Sequence, residues 1–369
     1  MAHASLRFLF VPVSGPGGAG EYHRSLAVAR ALERRWPGCQ IRFVLHRSAP
    51  YAADAPYAGL LVDDSPTRAS AAVIECIRAE RPDVVVFDSS GRLGQYRAAR
   101  DVGAAVVYVS SRARTRWKGF RWRRMRVLDQ HWIAQPRFLG GTPTAYERLK
   151  LRLVGRPEIV VLDAVHDPLD VPATRRLQAQ LGLEPGRYVA LCPGGGGDFG
   201  HAVDAAQVFY EVAQRLARSS GLAVVAVLGP RVPPRSATAP HEAGLRTLAT
   251  LPNGQLIALL RDATVVVVNG GSLLLQSMAQ GAPIVAAPVA GDQPERIRRC
   301  AREGYVRQSS LDPESMTAAV LALLSDQQAR DGLRARLAAL ALRNGVDEAS
   351  DAVMRLVQAR VRSARGVDA

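Results

Sequence analysis

The 369 residues carry 48 basic and 33 acidic side chains, for a formal net charge of +15, and 48% of them are hydrophobic. Single cores stop growing near roughly 250–300 residues, so two domains are expected and one small module is excluded. The apolar share excludes a disordered chain, and no apolar stretch reaches the ~18 residues of a membrane span.

The first predicted element is a strand over residues 6–13. Its apolar run is short for a signal-peptide core and leads straight into a glycine-rich turn, so a cytoplasmic location is expected. Further strands are predicted over 41–46, 84–88, 105–110 and 132–135, with amphipathic helices over 22–35 and 70–81. Runs such as PDVVVFD are continuously apolar, as strands covered on both faces require, so the sheet is predicted to be parallel and doubly wound. Pro168, Pro172, Gly182, Pro185 and Gly186 then mark a boundary. Beyond it the pattern restarts, with strands over 188–192, 224–229, 265–269 and 284–287 and helices over 202–218, 273–280 and 294–302. From Pro313 onward the chain is rich in helix formers, with breaks near Asp326 and Asn344. The expected organisation is an N-terminal domain over 1–164, a linker over 165–186, a C-terminal domain over 187–345 and a helix over 346–369 packing back on the N-terminal domain. Ligands of such sheets bind beyond the carboxyl ends of the strands, here expected in a cleft that the two domains face.

Cys39, Cys76, Cys192 and Cys300 lack CxxC spacing, which argues against a disulfide framework or a thiolate metal site. Three glycine-rich turns follow predicted strands. The first, GPGGAGEYHR, contains Gly15, Gly17, Gly18 and Gly20 and opens a helix whose N–H groups suit an anion or an oxygen-rich group. It has neither the GxGxxG spacing nor the acidic partner of a dinucleotide site. The second, CPGGGGDFG, places Gly194, Gly195, Gly196 and Gly197 before Asp198, where close backbone approach to a phosphate is the reason to accept the entropy of four glycines. No GK[ST] follows, so it is not a P-loop. The third, NGGSLLLQ, puts Gly270, Gly271 and Ser272 at a helix start with Gln276 one turn on, and Asp292 and Gln293 open the next helix. Each taken alone is compatible with ordinary capping; the ordered set points to a ligand.

These residues resemble the GT-B glycosyltransferases, in particular the group that includes the N-acetylglucosaminyl transferase of lipid II synthesis, the UDP-glycosyltransferases and a related UDP-sugar hydrolase. The resemblance covers essentially the whole chain. Gly18, Gly20 and Arg24 match the group's GxGHxxR acceptor loop, with Glu21 in the histidine's place. Gly270, Gly271 and Ser272, then Gln276 before Gly281 and Pro283, match its GGST and ExxxxGxP pattern with glutamine for glutamate, and Asp292–Gln293 matches its DQ pair. The resemblance implies two Rossmann-like domains. It assigns the 194–198 loop to donor phosphates, Gln276 to the ribose, Asp292 and Gln293 to the donor sugar, and Gly17, Gly18, Gly20 and Arg24 to the acceptor. The nucleotide-sugar, a UDP-sugar by this resemblance, is a substrate, and no cofactor is implied.

A transfer needs a base for the acceptor hydroxyl and stabilisation of the leaving diphosphate. The candidate base is Glu21, with Asp88 as partner or alternative and His23 third. No DxD triplet occurs, so no metal is expected. Glu295 and Glu303 have the Ex7E spacing of retaining enzymes but lie after the GxP turn, so inversion is expected. Hydrolysis of the nucleotide-sugar and transfer to a soluble small molecule stay open. Finally, residues 112–126 hold seven arginines and Lys118 without an acid, among Trp117, Phe120, Trp122 and Met125. Arginine mixed with tryptophan suits an anionic lipid surface, so Arg121, Trp122, Arg123 and Arg124 are expected to touch the inner face of the cytoplasmic membrane and meet a lipid-linked acceptor. No nucleic-acid module occurs, and no nucleic-acid partner is expected.

Overall fold

The computed structural model describes residues 5–15, 18–195, 204–229 and 244–364, and the chain divides into two units, Met1–Val165 with Asn344–Ala369, and His166–Arg343.

The first unit holds β1 (Arg7–Pro12), α1 (Gly20–Arg35), β2 (Gln40–His46), β3 (Gly59–Val62), α2 (Ser70–Glu80), β4 (Val84–Asp88), α3 (Leu93–Asp101), β5 (Ala105–Ser110), α4 (Ala113–Gly119), α5 (Trp122–Met125), β6 (Gln130–Ile133), α6 (Ala145–Val154) and β7 (Glu158–Val161). Its seven strands are all parallel, in the order β3-β2-β1-β4-β5-β6-β7. Alternate residues of β1 explain its unbroken apolar run. Phe8 and Phe10 join a core with Leu26 and Leu32 of α1, and Leu9 and Val11 join a separate core with Val73 and Ile77 of α2. Both faces are buried, as parallel sheets require. Pro12 lies beside Asp88 in the register, so the turns after β1 and β4 leave the sheet together where strand order reverses.

The second unit holds α7 (Val171–Leu181), β8 (Tyr188–Cys192), α8 (Ala205–Ser219), β9 (Ala223–Val227), β10 (Leu245–Leu248), α9 (Asn253–Arg261), β11 (Val265–Asn269), α10 (Ser272–Ala279), β12 (Ile284–Ala287), α11 (Gln293–Arg302), β13 (Arg307–Gln308), α12 (Pro313–Ser325) and α13 (Gln327–Leu340). Among the described residues its six strands are parallel in the order β10-β9-β8-β11-β12-β13, reversing between β8 and β11. Val265 and Val267 face the core shared with α8 and α12, while Val266 and Val268 point the other way and are equally buried. The doubly wound parallel α/β architecture expected from the apolar runs is therefore present twice.

One sequence-derived boundary changes. Residues 165–186, read as a linker, contain α7: Asp170 accepts from Ala173 N–H (3.0 Å), Pro172 sits in the first turn where a missing N–H costs nothing, and Gly182 at φ 64° ends the helix. The C-terminal segment expected to pack back on the N-terminal domain forms α14 (Gly345–Ala364), which lies on α1 and β7, with Val346, Ala349, Ala352 and Val353 in the first unit's core. Arg35–Asp351 and Arg355–Glu158 ion pairs (both 2.6 Å) fix its edges. The strands missed from sequence, β3, β7, β10 and β13, are the four sheet edges, and β6 starts two residues early at the buried Gln130. Edge strands bury less, so they need no continuous apolar run.

Candidate active site

In the second unit the strand ends of β8, β11 and β12 lie side by side, with Val268 opposite Cys192 and Asn269 opposite Ala287. Asn269 joins two turns. Its Nδ2 donates to the Pro193 carbonyl (2.6 Å) and its Oδ1 accepts from Gly271 N–H (2.9 Å). Gly194 has φ 97°, and a Cβ there would stand 2.4 Å from Asn269 Nδ2, so both backbone and space demand glycine. Gly270 is also confined, since a Cβ would meet Gln293 Cβ and the Ile297 side chain at 2.8 Å. Gln293 is buried, and its Oε1 accepts from Gly270 N–H (3.0 Å) and Val289 N–H (2.8 Å). That amide oxygen therefore braces the turn. Asp292, exposed beside it, lies 3.9 Å from Arg296, whose Nη1 donates to the Gly270 carbonyl (2.6 Å). Gln276 is buried in α10 and accepts from Asn253 Nδ2 at 3.4 Å. Ser272 begins α10 half-buried, with Gly271 extended before it, so the helix's first N–H groups point out of the turn. Gly195 is described without regular structure, whereas Gly196, Gly197 and Asp198 lie outside the described residues.

Asn269, Asn253 and Arg296 were not singled out from sequence. Only Asn269 carried a signal, as a polar strand end directly before two glycines.

In the first unit Glu21 occupies the first turn of α1, its side chain 15% exposed and its Oε1 3.9 Å from Arg112 Nη2. Gly18 has φ 77° with open space where a Cβ would lie, Gly20 starts the helix, and Gly17 lies outside the described residues. Arg24 and Asp88, read as acceptor ligand and alternative base, bind each other. Nε donates to Oδ2 (2.8 Å) and Nη2 to Oδ1 (2.6 Å), with Ser25 Oγ 3.3 Å from Oδ2. Asp88 is 1% exposed. Burial raises its carboxyl, opposed by the Arg24 guanidinium. With both oxygens held, Asp88 is placed to orient α1 against β4, not to take a proton from an acceptor. His23 is exposed, its ring 5.3 Å from that of Tyr22. The turn after β4 is strained: Ser89 has φ 57° and a buried hydroxyl with no partner among the described residues, and a Cβ on Gly91 would lie 2.4 Å from the Tyr96 ring.

Arg124 departs from its expected surface role. It is half-buried, donating to Tyr96 Oη (3.2 Å) and the Gly91 carbonyl (3.3 Å) with its guanidinium 5.3 Å over the Tyr96 ring. It braces the turn after β4 because a cation beside buried tyrosines gains both hydrogen bonds and ring contacts. Arg121, Trp122 and Arg123 are exposed as expected.

Beneath α4, His131 is fully buried with Nε2 2.8 Å from Ser110 Oγ. Burial pushes its imidazole down to about 3, with Arg116 adding to the effect. Between that value and the ordinary histidine range only the unfolded chain binds the proton, so stability falls as pH falls there, by about 1.4 kcal/mol per unit. His131→Phe costs stability at neutral pH but flattens this slope, so urea titrations show the variant converging on wild type as pH drops towards about 4. Parallel slopes would show that another group carries the acid sensitivity.

No family model matches the chain, and no curated protein matches it. Among solved structures it is similar to the calicheamicin glycosyltransferase CalG4 (18% identity, 97% of this chain and 100% of that one, TM-score 0.63). It is also similar to MurG of Acinetobacter baumannii (16%, 95% and 99%, TM-score 0.61) and to a candidate UDP-N-acetylglucosamine 2-epimerase of Listeria monocytogenes (14%, 98% and 98%, TM-score 0.61). With two parallel Rossmann-like sheets and these neighbours along nearly its whole length, the chain has the GT-B fold.

Proposed function

We propose that the chain is an inverting, metal-independent glycosyltransferase that moves a sugar from a nucleotide-sugar, with UDP as the nucleotide, to a hydroxyl acceptor. The observation that carries this reading is the Asn269 junction, which binds the turn after β8 to the turn after β11 at the point where strand order reverses. Such a frame presents backbone N–H groups and the start of α10 to a diphosphate, and holds them there before the leaving group develops charge. Asp292 then accepts hydrogen bonds from donor-sugar hydroxyls, while Gln293, Arg296 and Asn269 hold the turns in place. In the first unit Glu21 removes the acceptor proton as the oxygen attacks the anomeric carbon, the bond to the diphosphate breaks, and the configuration inverts in one displacement. A solved structure named as a glycosyltransferase, CalG4, shares the fold, which supports the reading. The acceptor is lipid-linked, in cell-envelope or exopolysaccharide synthesis, and the protein works from the cytoplasm at the membrane's inner face.

Purified protein incubated with UDP-, GDP- and dTDP-sugars, with and without lipid extract, tests this directly. Nucleotide release that depends on acceptor supports transfer; free sugar released without acceptor means hydrolysis, and no turnover with any donor rejects the enzyme reading. Asp292→Ala raises the donor KM or lowers kcat by roughly 5- to 150-fold, the effect of about 1–3 kcal/mol of lost hydrogen bonding. Unchanged donor kinetics would remove Asp292 from the site.

A further inference from the structure

α6 presents its apolar side outward. Tyr146, Leu149 and Leu153, spaced i, i+3 and i+7, share one helix face and are 62%, 51% and 68% exposed. The opposite side packs inward through Leu151 and Val154, on a small core of Phe120, Met125 and Ile133. The stripe is therefore not one edge of a core. It continues onto the neighbouring helices. Lys150 Nζ lies 4.3 Å from the Tyr146 ring centroid and 5.8 Å from that of Trp122, itself 40% exposed. Trp117 on α4 is 61% exposed, with the Arg121 guanidinium 5.2 Å over its ring.

Charge surrounds this apolar surface. Residues 112–156 contain thirteen basic and two acidic side chains, a net of +11 within the chain's formal +15. Both acids are engaged internally, Glu147 with Arg116 (2.5 Å) and Asp129 with Arg100 (3.0 Å) and Arg156 (2.6 Å). Arg148 and Arg152 flank the α6 stripe, and Arg114, Arg121 and Arg123 stand exposed beside the tryptophans.

We propose that α4, α5 and α6 form one surface that seats the first unit on an anionic lipid leaflet, with Trp117, Trp122, Tyr146, Leu149 and Leu153 entering the headgroup region and the arginines meeting lipid phosphates. Charge complementarity selects the occupant. A second copy of the chain would set one arginine-rich face against another. A nucleic acid would satisfy the arginines, but it has no use for two exposed leucines. A leaflet satisfies both: each cation near it gains about 1 kcal/mol, roughly a fivefold stronger partition, and the apolar groups add a hold that salt does not screen. The surface also borders the proposed acceptor loop, since Arg112 approaches Glu21 at 3.9 Å. The proposal deepens the membrane-face part of the proposed function and does not rest on glycosyl transfer.

Flotation with vesicles of phosphatidylcholine plus phosphatidylglycerol, against phosphatidylcholine alone, tests it without donor or turnover. Wild type floats with the anionic vesicles only, and salt weakens the binding. Replacing Arg121, Arg123 and Arg152 together with Gln lowers the partition coefficient about a hundredfold at low salt. Leu149→Ser with Leu153→Ser keeps low-salt attraction but abolishes the fraction that resists salt. All five positions are exposed, and unchanged urea midpoints confirm that the variants fold. Failure of wild type to float with anionic vesicles at low salt overturns the proposal, as does equal binding to neutral ones. A dimer that dissociates in the leucine variant, with vesicle binding unchanged, also overturns it and assigns the face to a second copy. Loss of flotation leaves the sugar-transfer reading standing, and absence of turnover leaves this surface standing.

Discussion

Replacing Glu21 with Gln lowers kcat by roughly two to four powers of ten while donor KM stays unchanged. The substitution keeps the shape and hydrogen-bonding reach of the side chain and removes only its ability to take a proton. The position suits the role. Glu21 follows the glycine turn after β1, sits in the first turn of α1, and is mostly shielded without being closed in a tight pair. Its helix-terminal charge contributes only about 0.3–1 kcal/mol to stability, so the variant remains folded and the kinetic loss is not an unfolding artefact. Steady-state kinetics with a saturating donor and pre-mixed acceptor read the effect. A Glu21→Gln protein with wild-type kcat would pass the role of base to the exposed His23.

Breaking the Arg24–Asp88 pair has the largest expected effect on stability. Asp88→Leu or Arg24→Met leaves one buried charge without its partner and lowers the unfolding free energy by roughly 3–5 kcal/mol. Arg24→Met combined with Asp88→Leu loses less than the two single effects added together, because no orphaned charge remains. Urea unfolding of the four proteins measures the coupling. Additive losses would mean that the pair, at 2.6 Å and fully enclosed, does not act as a unit. Because the two side chains join α1 to the end of β4, the same variants should also loosen the turn at Ser89 and slow turnover indirectly. A loss of stability separates them from Glu21→Gln, which slows turnover alone.

What could be read in the sequence follows from which groups are buried on both sides. The central strands of both sheets must be apolar on both faces, so VVVFD and VVVVN announce a parallel, doubly wound fold without any tertiary knowledge. The edges β3, β7, β10 and β13 stay silent because half of each meets water or a loop. Glycine turns were legible for a similar reason: Gly194 and Gly270 tolerate no Cβ, and a sequence records such sites directly.

The partners of charged side chains are a different matter, because a carboxylate or guanidinium in sequence does not say what lies opposite it. Asp88 meets Arg24 from 64 residues away, and Arg124 meets Tyr96 and Gly91 across the turn after β4. Both arrangements exist only once strand order has brought β1, β4 and β5 together, and they convert a candidate base and a candidate surface arginine into braces. The periodicity of α6 is the clearest case. Tyr146, Leu149 and Leu153 recur at helical spacing, and apolar residues so spaced usually face a core. Leu151 and Val154 already fill the small space beneath α6, so the fold turns the larger apolar stripe outward among arginines. The sequence alone determined that a face would exist there, and tertiary packing alone decided that it faces out.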